Sequence, residues 1–527
     1  MGLGIIKVKK MLMGKGMQST KTDPTEHLDV LIIGAGISGL GMCYTLKKQR
    51  QNDTFAVIES RDNFGGTWDF FKYPGLRSDS DMYTFAYSFK PWTEREYIGS
   101  AERINNYLSE LVEDEKLIEY IRFRQRVIKV SWLSEENKWT CTVRKSDGTE
   151  YKISCKFIVS CTGYYNYESG YLPKFEGADN FKGDIIHPQK WPENYRYKGK
   201  RIVVIGSGAT AVTLVPKLAA ESSHVVMLQR SPTYIYNRPS SDGLYRFLSS
   251  FMSAKFTNKI MRSKYVLMQQ ITYFLSKRFP SFMAKIIRKE TAIALNDGFD
   301  VDTHFKPNYK PWDQRVCMVP DGDLFDCLNN GSASIVTAHI ASFTEKGIKL
   351  NNGEHIDADV IVTATGLDVQ LWGGMTVEVD GHSVIPNSLT NYKGMMFSNI
   401  PNFLMIFGYT NASWTLKAEL SYEYICRLLN LLDEKQHSSV YPYLEEEQES
   451  EGIVDLNSGY VLRAAPRLPK QGLHFPWRNK DFYLKDLLAI KYRGIEDGVL
   501  RFDDTEHLAK FHQKAADRRR KDDEANC

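Results

Sequence analysis

The chain has 527 residues, of which 42% are apolar and 25% charged. That is too long for a single compact core and ordinary in composition for a globular protein. The 68 basic and 64 acidic side chains leave a net charge of +4, too balanced to point to a nucleic-acid partner. None of the eight cysteines falls in a C-x-x-C pair, which argues against a zinc ribbon or a thioredoxin-type motif and for a reducing, cytoplasmic compartment. No run approaches the ~18 apolar residues of a membrane span.

Residues 1–26 read as a disordered or over-called extension, with Met13 or Met17 as alternative starts. Lysines interrupt each of its apolar runs, so no signal-peptide core forms, and Ile6 stands where myristoylation wants Ser or Thr. Then "HLDVLIIGAGISGLGMCYTLKK" predicts strand, tight turn and helix. Gly34 permits the turn, Gly36 lets backbone approach a pyrophosphate, and Gly39 allows close helix–strand packing. The helix start offers free N–H groups to phosphates. A second strand, "FAVIES", ends in Glu59, about twenty residues beyond Gly39. A carboxylate there suits an unphosphorylated ribose and repels a 2′-phosphate, so this unit fits FAD or NAD.

A second unit follows in "KRIVVIGSGATAVTLVPKLA", where Gly206, Ser207, Gly208, Ala209, Thr210 and Ala211 form the turn. Its next strand, "HVVMLQRSP", ends in Arg230 and Ser231 in place of an acid. A guanidinium matches a phosphate with paired donors, the usual mark of NADP. Two turns of opposite ribose preference imply FAD plus NADPH. Buried strands ending in Thr-Gly, "FIVSCTGYYN" and "DVIVTATGLD", predict where the chain crosses between units. The expected fold is α/β with two Rossmann-like domains: FAD-binding over 27–169 and 356–527, and an inserted NADPH-binding domain over 170–355.

Residues 240–300 predict helices broken at Pro280, with many basic residues and few acids. Two readings stand: a helical subdomain with its apolar face inward, walling a substrate entrance, or a basic amphipathic surface peripheral to the inner face of a membrane.

Two longer patterns carry a family resemblance. "FKGDIIHPQKWP" supplies Phe181, Gly183, His187, Trp191 and Pro192 at F-x-G-x-x-x-H-x-x-x-W-[PD] spacing. "GGTWDFFKYPGLRSD" supplies Gly65, Gly66, Trp68, Tyr73, Pro74, Gly75 and Asp79. Together with the two turns they make the chain resemble the type I Baeyer–Villiger monooxygenases, and "SGATAVTLVP", "PWDQR" and "GYTNASWTLKAEL" look most like the ethionamide-activating branch.

The resemblance implies a flavoprotein that uses NADPH and O2 to turn an apolar ketone into an ester or lactone through a flavin peroxide. Sulfoxidation of thioethers or thioamides is implied as a side activity. It also implies Arg315 as the cation at the reacting centre and Asp79 as its orienting partner. Gln314 stands where many relatives have lysine, which leaves Arg230 carrying more of the NADP phosphate. Ser38, Gly66, Thr67, Trp68, Asp69, Phe70 and Val127 are the implied FAD contacts, with Arg77 and Ser78 bordering the nicotinamide. His187 and Trp191 belong to a hinge, and "IPNFLMIFGYTNAS" closes over the flavin. "NYKGMMFSNIPNF" reads either as a pocket wall or as core.

The alternatives are an N- or S-oxidising flavin monooxygenase, disfavoured by Trp191-Pro192, a disulfide reductase, excluded by the lone Cys43, and a cofactor-binding sensor. No metal site is expected: no second ligand lies near His187.

Overall fold

The computed structural model describes residues 26–445, 449–454, 456–479 and 481–525. Apart from Glu26, the extension expected over 1–26 lies outside the described residues.

Strand β1 (Glu26–Ile33) passes through the first glycine turn into helix α1 (Ile37–Gln49), and the chain returns in β2 (Phe55–Ile58), parallel to β1. Val30 to Ile33 are an unbroken buried apolar run, as a parallel strand covered on both faces requires. On its other edge β1 pairs in parallel with β3 (Glu150–Ser160), Val30 opposite Phe157. Beyond β3 an antiparallel hairpin, Gln125–Leu133 with Lys138–Lys145, extends the sheet.

The second sheet is parallel throughout. Strands β4 (Asp184–Ile186), β5 (Arg201–Ile205), β6 (His224–Gln229), β7 (Ala333–Thr337) and β8 (Val360–Thr363) lie in the order β7-β6-β5-β8-β4. Helix α2 (Ala209–Ala219) follows β5 across the second glycine turn. Each sheet therefore contains a strand, glycine turn and helix, and the second is inserted in the first, the α/β arrangement expected. The chain leaves the second sheet after Thr363 and rejoins the first at Thr376–Val379, beside Gln125–Leu133. The return crossover thus lies some residues beyond the 355/356 boundary read from the sequence. Strand β9 (Phe403–Met405) then pairs with β3, Phe403 opposite Ile158.

Between β6 and β7 stand α3 (Gly243–Ser249), α4 (Ala254–Arg278) and α5 (Pro280–Ala294). Pro280 opens α5, where its missing N–H costs nothing. The expectation that this insertion turns its apolar face inward holds only in part along α4, which buries Met261, Tyr265 and Val266 but exposes Phe256, Leu267, Ile271 and Phe274. Finally α6 (Trp414–Lys435) packs on α1 so tightly that a Cβ on Gly41 would lie 2.5 Å from the Tyr422 hydroxyl.

Candidate active site

Both glycine turns open into one cavity of about 1170 Å³. At its first end the backbone is shaped by steric necessity. Gly34 has φ +102°, and a Cβ there would lie 2.7 Å from the Cys161 carbonyl oxygen. A Cβ on Gly39 would come within 1.8 Å of the Gly34 carbonyl, which locks helix α1 onto the turn. Gly66 sits back to back with Gly36, its own Cβ position 2.9 Å from the Gly36 Cα. This contact brings the Gly65–Phe70 segment to the first turn.

Glu59 closes this end. Its Oε2 accepts from the Ala35 N–H at 2.7 Å and its Oε1 from the Arg61 N–H at 2.8 Å, so the carboxylate is held rigidly where β2 meets the cavity. Gly34, Gly36, Ser38, Gly66, Thr67, Trp68, Phe70 and Val127 also line the space. Gly39 lies beneath the turn and does not. The Asp69 carboxylate pairs with Arg61 at 2.6 Å and accepts from Asn63 at 3.0 Å, so it braces the loop, and Asp69 is not among the residues lining the cavity. The Ser38 hydroxyl accepts from Trp414 Nε1 at 2.8 Å.

At the other end Gly206 has φ +133°, with its Cβ position 2.4 Å from the Ala364 carbonyl, while a Cβ on Gly208 would meet nothing within 4 Å. Open space before a capless helix start is the cradle a pyrophosphate fills. Ser207 ties the turn to the end of β6, donating to the Ser231 carbonyl at 3.0 Å. Ser207, Ala209, Thr210, Arg230 and Ser231 line the cavity; Ala211 is buried behind it. Arg230 forms no salt bridge among the described residues, so its guanidinium stays available to an anion.

Between the two ends Arg315 meets Asp79. The Nε and Nη2 of Arg315 donate to the two Asp79 oxygens at 2.7 and 3.0 Å. The charge of Asp79 raises the arginine pKa further, burial opposing it, so the cation is permanent. Its Nη1 has no protein partner among the described residues. Arg77 and Ser78 line the same stretch: Arg77 forms a forked pair with Asp323, and the Ser78 hydroxyl donates to the Ser80 carbonyl at 2.9 Å.

Three phenols surround Arg315. Tyr164 and Tyr165 share a hydrogen bond at 2.8 Å, and Tyr460 completes the wall. Burial raises the pKa of all three, so they stay neutral and add no competing anion. Tyr164 also stacks on Trp414, the rings 5.7 Å apart and 13° from parallel. Tyr164, Arg315, Tyr409, Trp414 and Tyr460 also border a second, smaller apolar cavity of about 40 Å³ reaching Leu371, Phe397 and Met405. Sequence reading assigned no role to Tyr164, Tyr165, Trp414 or Tyr460. Trp414 stands in "GYTNASWTLKAEL", but nothing in its neighbours gives its reach to Ser38.

The Phe181–Trp191 segment packs at the crossover. A Cβ on Gly183 would lie 2.2 Å from the Asp359 carbonyl, and Phe181 meets the Phe343 ring. Trp191 packs edge-on to Tyr195 and Tyr197. None of the three lines the cavity. His187 does; its ring lies so close to Gly170 that a Cβ there would meet Cε1 at 2.2 Å. Burial lowers the His187 pKa, and Nε2 has no partner among the described residues. No cavity-lining residue comes from α3–α5, so those helices do not wall the cavity. Of "NYKGMMFSNIPNF", Tyr392, Met395 and Met396 are core, while Phe397 reaches the smaller cavity.

A family model described as flavin-binding monooxygenase-like matches residues 28–409. The chain is similar to the FAD-containing monooxygenase EthA of Mycolicibacterium smegmatis, 45% identical over 487 residues covering 92% of this chain and 98% of that protein. It is equally similar, 45% over 481 residues, to the probable FAD-binding monooxygenase AlmA of Acinetobacter baylyi, covering 91% and 96%. Among solved structures, an oxidised steroid monooxygenase bound to NADP superposes with a TM-score of 0.68 at 21% identity, covering 90% of this chain and 99% of that one.

Proposed function

The chain belongs to the flavin-binding monooxygenase-like family, and we propose that within it the protein is an FAD-containing, NADPH-dependent Baeyer–Villiger monooxygenase. On this reading a ketone, O2, NADPH and a proton become an ester or lactone, water and NADP⁺. The observation that carries the proposal is the forked Asp79–Arg315 pair, standing between two glycine cradles in one cavity.

When bound, FAD supplies the oxygen-activating centre and NADPH the hydride. The Gly34–Gly36 turn and Glu59 hold the first dinucleotide at its pyrophosphate and ribose. Gly206–Gly208 hold the second, and Arg230 with Ser231 takes its 2′-phosphate by charge-assisted hydrogen bonds. Gln314 is neutral, so Arg230 is the principal cation for that phosphate.

Arg315 faces the negative charge that develops on the substrate oxygen. A fixed guanidinium aimed at such charge needs no reorganisation as the charge appears. Asp79 grips two of its nitrogens, and the free Nη1 is the edge left for substrate. Tyr164, Tyr165 and Tyr460 exclude water and, being neutral, leave the guanidinium charge uncancelled on that side. His187 and Trp191, packed at the crossover, act as a hinge between the domains. The apolar wall at Leu371, Phe397 and Met405 fits an apolar ketone. A thioether or thioamide sulfur, which needs no carbonyl polarised, is a further substrate of the same site.

The test is product analysis on the purified, FAD-loaded protein with NADPH, O2 and a panel of aliphatic and aryl methyl ketones, with hydrogen peroxide quantified in the same vessel. Ester formed in step with NADPH consumed is the expected result. Hydrogen peroxide alone across the whole panel would overturn the proposal.

A further inference from the structure

Helix α4 carries apolar residues on its exposed side as well as its buried one. Its buried residues are Thr257, Asn258, Met261, Tyr265, Val266, Gln270 and Ser276, a mixed polar and apolar set, whereas Phe256, Leu267, Ile271 and Phe274 are exposed. At 100° per residue the four exposed positions fall on one side of the helix. The inner side is held by apolar packing of Met261, Tyr265 and Val266 and by polar contacts. Gln269 donates to Asp81 at 2.6 Å, and Arg262 donates to the Ala86 carbonyl at 2.7 Å and pairs with Glu419 at 2.6 Å. Docking therefore buries a mixed face, Met261, Tyr265 and Val266 included, and leaves a second, apolar one uncovered.

The exposure continues on both flanks. Phe247 and Phe251 meet edge-on at 5.1 Å at the end of α3, and Phe282 and Ile293 on α5 leave 60% and 73% of their surface exposed. Of the nineteen large hydrophobic residues exposed among the described residues, ten lie between Leu244 and Ile293. Scattered exposure needs no explanation, but a concentration of this kind marks a surface that something covers.

Charge identifies what covers it. Between Gly243 and Ala294 the chain has ten basic residues and one acidic, Glu290. Arg262, Lys264 and Arg288 are spent on Glu419, Asp242 and Asp302. Arg246, Lys255, Lys259, Arg278, Lys285 and Lys289 have no carboxylate partner among the described residues. A second copy meeting this face through the same patch would set these cations against each other, since a two-fold contact is self-complementary only if the charges are. An anionic lipid surface accepts both features, phosphates for the lysines and the acyl boundary for the phenylalanines. No helix among the described residues is long and apolar enough to cross a membrane, so the contact is peripheral.

We propose that α3, α4 and α5 form a docking surface for an anionic bilayer, with the exposed phenylalanines entering the interface between basic side chains that bind lipid headgroups. The full-length, FAD-loaded protein is sedimented with vesicles of phosphatidylcholine alone and of phosphatidylcholine with phosphatidylglycerol, at low and high salt. Two variants accompany it, F256S/F274S/F282S and K255E/K259E/K285E, each checked for thermal midpoint and NADPH oxidation in solution.

The wild type is expected to pellet at least about tenfold more with the anionic vesicles and to be released by salt. Each variant should lose more than about tenfold of that binding while its midpoint and solution activity stay unchanged. The proposal is overturned if the wild type stays in the supernatant with both vesicles, if it pellets equally with neutral ones, or if both variants pellet as it does. It is likewise overturned if light scattering shows a dimer that the phenylalanine variant splits and vesicle binding is absent, for then a second copy covers the face.

Discussion

Replacing Asp79 with asparagine separates a catalytic geometry from an ordinary ion pair. In the wild type both carboxylate oxygens hold Arg315, at 2.7 and 3.0 Å, and the two side chains are 31% and 33% exposed. A pair exposed to that degree contributes no more than about 1 kcal/mol to folding, so Asp79→Asn should lower the thermal midpoint by only a few degrees. The effect on rate is expected to be much larger. Asparagine offers one acceptor and no charge, so the fork opens and the guanidinium is free to swing. A displacement of about 1 Å costs on the order of 10²-fold in rate, or about 2.7 kcal/mol of barrier. The assay follows ester, NADPH and hydrogen peroxide together in FAD-loaded protein. The expected outcome is ester formation down about 100-fold, with NADPH oxidation continuing and hydrogen peroxide taking the difference. Unchanged ester yield and coupling would refute the reasoning and reduce the pair to a structural contact.

Arg230→Ala should raise KM for NADPH by roughly 10- to 100-fold, the loss of a charge-assisted phosphate contact, and leave KM for NADH nearly unchanged; steady-state titration with both coenzymes checks it. Gly208→Ala places a methyl group in the open cradle with nothing within 4 Å, so the thermal midpoint should hold while NADPH affinity falls by about tenfold. Gly39→Ala forces a Cβ to 1.8 Å from the Gly34 carbonyl and should cost about 1–3 kcal/mol of stability together with retained FAD, read by melting and by flavin absorbance.

Asp81 yields a pH-dependent prediction. Burial pushes its pKa up to about 6 from the usual 3.8, against the hydrogen bonds of Thr84 and Gln269 and the charge of Arg262. The folded state therefore holds this proton more tightly than the unfolded chain. Its contribution to stability is full below about pH 4 and is lost as pH rises through about 6, on the order of 3 kcal/mol. Urea unfolding of wild type and Asp81→Asn at several pH values should show that difference. Parallel curves would contradict it.

The doubled fold could be read from the sequence because each Rossmann unit advertises itself locally. Val30–Ile33 and Ile202–Ile205 are apolar runs, and Gly34 and Gly206 occupy positive-φ positions that other side chains would strain. The Asp79–Arg315 contact spans 236 residues and came from pattern resemblance, not from anything near either residue. The phenols around Arg315 escaped notice for the same reason. Tyr164, Tyr165 and Tyr460 come together only because the chain crosses into the second sheet and returns, and Trp414 reaches Ser38 across 376 positions. Asp69 stands among Thr67, Trp68 and Phe70, which line the cavity, but Arg61, eight residues earlier, draws its carboxylate aside. The exposed apolar face of α4 was equally hidden. Periodicity shows that a helix has two faces, but which one is buried depends on Asp81 and Glu419 in distant segments.

The most direct test of the central claim is isotopic. The FAD-loaded protein is supplied with NADPH, a methyl ketone and ¹⁸O₂, and the products are resolved by mass. The account predicts an ester carrying a single ¹⁸O at the alkoxy position, one per NADPH oxidised, and its loss in Arg315→Ala. No labelled ester from any ketone, with ¹⁸O entering only an amine or a thioether, would contradict the Baeyer–Villiger assignment and leave the protein an N- or S-oxidising member of its family.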